Sequence, residues 1–160
     1  MKLTYCPQCA APLAMQTKTE YICDNKHTYW NNPRATVTII LIKNDKFLVS
    51  TRGSEPFKDK YDTPGGFLEY FESPQQAAKR EMLEETGLVI DDLQLLGGYF
   101  HEYEENVSTC DFVFVAHKWK GKMKPHDDVA ALAWKPISVI DGPDFAWHYP
   151  GLVAKLSSHD

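Results

Sequence analysis

The sequence predicts a layered α/β (α+β) domain, with one or two helices packed on a mixed sheet, behind a small leading module of different texture. Three observations carry this. Runs of β-branched and aromatic residues recur from residue 35 onward. One stretch among them, residues 73–87, has complete helix punctuation. Three of the 4 cysteines crowd the first 23 positions, ahead of a turn-prone "NNP" at 31–33. The expected organisation is therefore residues 1–33 as one unit and 34–160 as the main domain.

Past Arg34, "ATVTIILI" reads as a strand, "KND" as a tight turn and "KFLVSTR" as a second strand, so residues 35–52 predict a hairpin. "GSEPFKDKYDTPGG" reads as a loop broken by Pro56 and Pro64. In the helix, Ser73 can cap the start, Pro74 suits the first turn, and Gln76 stands where a capping box wants Glu or Gln. Gly87 ends it at the usual left-handed position. "LQLLGGYFHEY", "CDFVFVAHKW" and "AALAWKPI" predict further strands, and "DFAWHYPGLVAKLSS" predicts a short helix after Pro150–Gly151.

The 160 residues are 43% hydrophobic and 12% aromatic, enough for a real core. A net charge of −5 argues against tight binding to duplex DNA or long RNA, which needs a basic face. No apolar run approaches the roughly 18 residues of a membrane span. The stretch "MKLTYCPQC" has no apolar core of signal type, so a cytoplasmic protein without membrane association is expected.

The helix holds Glu81, Glu84 and Glu85 at i, i+3 and i+4, offsets that stack side chains on one side. Like charges so placed destabilise a helix by about 0.2–0.5 kcal/mol per pair. Arg80 can pair with Glu84, but one arginine cannot neutralise three carboxylates. Most Glu-rich helix faces are simply solvated. The alternative is a divalent cation: hard oxygen ligands from one helix, beside a Gly-rich loop, are what Mg²⁺ or Mn²⁺ prefers.

The wider spacing favours the cation. Gly66, five residues, Glu72, seven residues, then Arg80–Glu81–Met82–Leu83–Glu84–Glu85–Thr86–Gly87–Leu88 resembles, at every fixed position, the signature box of the Nudix hydrolases. This resemblance implies an α/β/α sandwich and a loop–helix–loop that holds Mg²⁺ or Mn²⁺ against a diphosphate. It implies cleavage of nucleoside diphosphates linked to another group, by attack of water on phosphorus. Carried over, Glu81, Glu84 and Glu85 would be the metal-binding carboxylates, Gly66 a carbonyl ligand, and Glu72 with Arg80 the pair that ties loop to helix. Either Glu81 or Glu84 could serve as general base.

Asp128, in "KPHDDVAALAW" beside Asp127, stands where the family often carries a further Glu, and is a candidate ligand or base with a shorter reach. "HEYEEN", residues 101–106, reads as a solvated acidic loop. Arg52, at the end of "KFLVSTR", is a candidate for substrate phosphate or else a surface ion pair. Phe57, Tyr61, Phe67, Tyr70, Phe71, Tyr99, Phe100 and Tyr103 are the aromatics from which a base platform could be drawn.

Cys6, Cys9, Cys23 and His27 form C-x2-C-x13-C-x3-H, a spacing that can close a tetrahedral Zn²⁺ site. Four protein ligands leave no place for substrate, so its role would be structural, in a segment too short to build its own core. The arrangement resembles the zinc ribbon that precedes some Nudix domains, notably in NADH pyrophosphatase-like members, although there the second knuckle is C-x2-C. Lys2, Lys18 and Lys26 are too scattered for a phosphate track, so packing or a homodimer is the expected use. Cys110 reads as a buried strand thiol.

The leading expectation is a metal-dependent pyrophosphohydrolase acting on a small nucleotide of ADP-ribose, NADH/FAD or sugar-nucleotide type. The Ser-Gln-Pro-Trp-Pro-Phe-Pro run of the NADH pyrophosphatase group has no counterpart after the box, which weighs against NADH and NAD-capped RNA. Oxidised nucleoside triphosphates are the alternative substrate. The rival of another class is a non-catalytic nucleotide sensor whose ribbon contacts nucleic acid or a regulator.

Overall fold

The computed structural model describes residues 4–105 and 107–157. Lys2, Asn106 of "HEYEEN" and Ser158 of the tail segment lie outside them. Near the amino end, β1 (Leu13–Met15), β2 (Glu20–Cys23) and β3 (Thr28–Trp30) form a small antiparallel sheet in that order. Then come β4 (Arg34–Lys43), β5 (Lys46–Arg52), β6 (Tyr61–Asp62), β7 (Gly65–Phe67) and α1 (Pro74–Thr86). The chain continues with β8 (Leu88–Ile90), β9 (Gln94–Glu104), β10 (Val107–Ala116), β11 (Trp119–Gly121) and β12 (Val129–Pro136). A 3-10 turn (Ile137–Asp141) and α2 (Leu152–Ser157) close it.

The main sheet runs β12-β5-β4-β10-β9, with β6 on β5 and β7 on β4; β4 and β10 are parallel and the other pairs antiparallel, so the sheet is mixed. The period of two divides its side chains between two cores. Val37, Ile39 and Leu41 meet Ala77, Ala78 and Met82 of α1. Ile40 and Ile42 join Val113, Val115, Ile140, Leu152 and Leu156 on the opposite side. Met82 is 0% exposed at the centre of its core, and Met82→Ala is expected to lower unfolding free energy by about 2–5 kcal/mol in a denaturant titration.

The helix ends follow the sequence expectation. Ser73 Oγ accepts from Gln76 N, the Gln76 side chain accepts from Ser73 N, and Gly87 has φ 70°. Elsewhere the structure corrects the reading. Residues 35–52 are a hairpin only at its tip, Ile42↔Phe47 and Lys43↔Lys46. Beyond it β4 and β5 part, and β6 and β7 fill the opening, so the segment read as one loop carries two short strands. Residues 101–104 of "HEYEEN" are strand and not loop: β9 pairs with β10 as far as Glu104↔Val107, and Tyr99, His101 and Tyr103 face inward while Glu102 and Glu104 face water. Cys110 is exposed. Thr109 and Asp111 take the buried phase of β10 instead, and Cys110 projects from the other face, where Phe112 is itself only partly covered.

Candidate active site

Where β4 and β5 part, a cleft of about 460 Å³ runs from the carboxylates of α1 to the sheet face under α2. Its wall at the helix is built around Arg80. The guanidinium donates from Nε and Nη2 to the two carboxylate oxygens of Glu72, both at 2.9 Å, and from Nη2 to the Phe67 carbonyl at 3.0 Å. Nη1 donates to Glu81 Oε1 at 2.8 Å and to Glu84 Oε2 at 3.0 Å. Paired in this way, Glu72 is held below the usual carboxylate range by Arg80. Loop and helix are thus locked together by one cation.

The three box glutamates sit at graded depth. Glu84 is half exposed at 52%, Glu81 is 12% exposed, and Glu85 is buried with Oε2 accepting from Gly65 N at 3.0 Å. Burial, and then the charges of Glu81, Asp128 and Asp62, push the Glu85 carboxyl up to about 9. Burial likewise raises Glu81, against the pull of Arg80. Gly66 lies directly over Glu81: a Cβ there would collide with its carboxylate. Gly66→Ala is therefore expected to displace Glu81 and lower turnover at least about tenfold while leaving thermal stability nearly unchanged, checked by kinetics beside a melting curve.

A second carboxylate source reaches the cleft from the loop after β11. Lys124 N donates to Thr86 O at 3.0 Å and His126 N to Glu85 O at 2.9 Å, which satisfies carbonyls orphaned at the end of α1. Gly53 N donates to Asp128 O at 2.8 Å, and the close approach leaves no room for a side chain at Gly53. These bonds bring Asp127 and Asp128 to the cleft beside Glu85.

Of the two roles that the sequence left open for Arg52, the structure shows an ion pair, in a part-buried setting and not at the surface. Its Nη1 donates to Asp62 Oδ2 at 2.8 Å, its Nε to Pro56 O at 2.6 Å, and its guanidinium lies 5.9 Å from the Trp147 ring centroid. Asp62 also accepts from Thr63 N at 2.8 Å and Trp147 Nε1 at 3.1 Å. The pair fixes the cleft's far wall rather than reaching into it. Of the eight aromatics singled out, Phe67 and Tyr103 line the cleft, in edge contact at 5.4 Å. Tyr70 and Phe71 are 89% and 90% exposed, and Tyr99 packs on Tyr149 at 5.4 Å.

Sequence reasoning missed Trp147, Tyr149, His101 and Asp111, all of which line the cleft. Trp147 stacks on Tyr103 at 5.4 Å, and Asp111 Oδ1 accepts from Thr36 Oγ1 at 3.0 Å. For Asp111 a signal existed. It falls in phase with Val113 and Val115, so a charge stands in the buried register of a strand whose second half is apolar.

Near the amino end, Cys6, Cys9, Cys23 and His27 bring their ligand atoms within 4.8 Å of one another, the single such grouping among the described residues. The Cys9 and Cys23 sulfurs are 3.8 Å apart, and Cys6 Sγ is 3.4 Å from His27 Nδ1. A tetrahedron with Zn–S near 2.3 Å has edges of about 3.8 Å, so the donors fit zinc in kind and spacing. Burial opposes ionisation of Cys6, but the Gln8 backbone and the His27 ring outweigh it and hold the thiol at about 6. Each knuckle turns through a left-handed residue, Ala10 at φ 58° and Lys26 at φ 64°.

Comparison with known proteins agrees with this geometry. The NUDIX domain model matches residues 32–155, and the chain belongs to that family. It is 34% identical over 104 residues to an ADP-ribose pyrophosphatase of Methanocaldococcus jannaschii, a match covering 64% of this chain and 62% of that one, less than two thirds of its length. It is 26% identical over 121 residues to the 8-oxo-dGTP diphosphatase of Escherichia coli, 75% of this chain and 92% of that one. A NUDIX hydrolase crystal structure from Nitrosomonas europaea, 22% identical, shares the fold with a TM-score of 0.73 over 96% of this chain and 88% of that one. No helix among the described residues is long and apolar enough to cross a membrane.

Proposed function

We propose that this chain is a metal-dependent pyrophosphohydrolase that cleaves the diphosphate of a nucleoside diphosphate derivative, of which ADP-ribose is the leading case. The observation that carries the reading is the pair Glu81 and Glu85 at one end of the cleft beside the Gly65–Gly66 backbone, with Arg80 bracing Glu81 and the half-exposed Glu84 next to it. All-oxygen donors of this kind fit a hard divalent ion, and a buried carboxyl raised to about 9 among like charges is a group that a cation would ionise. Bound Mg²⁺ or Mn²⁺ would neutralise the phosphates, lower the pKa of water and clamp its in-line attack.

The chain's own residues do the rest. Glu81, Glu84, Glu85 and the Gly66 carbonyl would hold the ion, with Asp128 as a further ligand or base. Arg80 and Glu72 keep the loop carbonyls in register with the helix carboxylates. Glu81, already pinned by Arg80 at 2.8 Å, is poised to take the proton of the attacking water, or Glu84 does so from the rim. Arg52, committed to Asp62, positions the wall and makes no phosphate contact in this scheme. Residues 1–33 serve as a zinc-stapled structural module beside the hydrolase domain of residues 34–160.

The E. coli relative, with 92% of its length matched, favours a second reading, an oxidised nucleoside triphosphate as substrate. Hydrolysis of a panel in ¹⁸O-water with Mg²⁺ separates them. ADP-ribose should yield AMP and ribose 5-phosphate, with one product phosphate labelled. Release of pyrophosphate from 8-oxo-dGTP at much higher kcat/KM would select the second reading, and turnover of neither would reject both.

A further inference from the structure

The floor of the cleft, away from the α1 carboxylates, carries polar atoms that no hydrogen bond among the described residues satisfies. The α2-side face of the sheet is apolar through Ile42, Ile40, Val115 and Val113, then turns polar at Thr38, Thr36, Asp111 and Thr109. Asp111 is 2% exposed; one oxygen accepts from Thr36, and Oδ2 has no hydrogen-bond partner among the described residues. His101 Nε2 is also unpartnered, 3.8 Å from that oxygen, too far for a hydrogen bond. Both line the cleft. Buried polar atoms are nearly always satisfied, so two left over on residues that line one cavity point to a ligand.

We propose that Asp111 and His101 form a nucleobase subsite that reads an amino group beside an unprotonated ring nitrogen, the edge that adenine presents. The inference rests on the diphosphate reading above and adds the base of its substrate. Asp111 Oδ2 can only accept, so it takes an N–H of the exocyclic amine. His101 Nε2, in the tautomer that carries its proton there, donates to the ring nitrogen. A 6-oxo purine presents an acceptor and an N–H in those places and meets both groups with the wrong sign. A flat ring also fits the walls, where Phe67, Tyr103 and Trp147 offer aromatic surface that a bare sugar diol would leave unused.

The test is calorimetric binding of AMP and IMP, equal in charge and shape, to the full-length protein with Mg²⁺. AMP should bind at least about tenfold more tightly, the scale of one two-point base contact. Asp111→Asn should erase that preference. Wild type should also lose affinity for N6,N6-dimethyl-AMP, which keeps the ring nitrogen but has no N–H, a measurement independent of how the variant folds. Equal affinity for AMP and IMP, or tighter IMP, overturns the subsite. Turnover distinguishes the two readings: AMP preference without ADP-ribose hydrolysis rejects the diphosphate reading. Equal kcat/KM for ADP-ribose and its hypoxanthine counterpart rejects the base reading alone.

Discussion

Glu85→Gln should lower kcat/KM by at least about 10²–10³-fold, the scale of losing one preorganised electrostatic group, while leaving the fold intact. The two effects separate because of where Glu85 sits. Its Oε2 accepts the Gly65 N–H at 3.0 Å, and an amide oxygen can take that bond without a change of shape. What Gln cannot do is ionise. The Glu85 carboxyl lies at about 9 against an ordinary 4.5, first because of burial and then because Glu81, Asp128 and Asp62 surround it.

The sign of the pH effect follows. A carboxyl raised on folding contributes stability that is complete below about 4.5 and is lost as pH rises through about 9. In chelator-treated buffer, wild type should therefore fall in melting temperature relative to Glu85→Gln between those values. Added Mg²⁺ should restore the wild type and leave the variant unmoved. Parallel melting curves across that range would remove Glu85 from the ion site.

Loss of zinc should unfold the amino-terminal module and spare the cleft. Binding to Cys and His ligands supplies about 10–16 kcal/mol in isolated zinc-finger peptides near neutral pH, far more than a three-stranded sheet of this size gains from its own core. Among its described residues the buried apolar side chains are Tyr21, Cys6 and Cys23. Elemental analysis should find about one zinc per chain. Cys23→Ser, or a strong chelator followed by desalting into Mg²⁺, should make residues 4–30 protease-sensitive, with hydrolysis retained within a few-fold. A cleft that lost all activity with the zinc would instead tie the module to catalysis.

Local rules made the helix legible. Ser73, Pro74, Gln76 and Gly87 are short-range signals, and each holds its expected place. The acidic side was legible too, because i, i+3, i+4 spacing is geometry. Its gradation was not: Glu85 buried and Glu84 half exposed depends on how α1 rolls against Ile39 and Leu41. Long-range pairings escaped most completely. The parallel register of β4 on β10, the parting of β4 from β5, and the arrival of Trp147 and Tyr149 at the cleft all join residues far apart in the chain. Arg52 illustrates the same gap, since its partner Asp62 lies in a segment that reads as featureless loop.

The most direct measurement is a Mn²⁺ titration followed by electron paramagnetic resonance, in wild type and Glu85→Gln, with and without a non-hydrolysable ADP-ribose analogue. The free-ion signal should be quenched by wild type, more tightly once the analogue is present, and the variant should bind at least about tenfold more weakly in both conditions. Manganese uptake that is equal in the two proteins, or indifferent to the analogue, would contradict a cation seated by Glu85 against a substrate's phosphates.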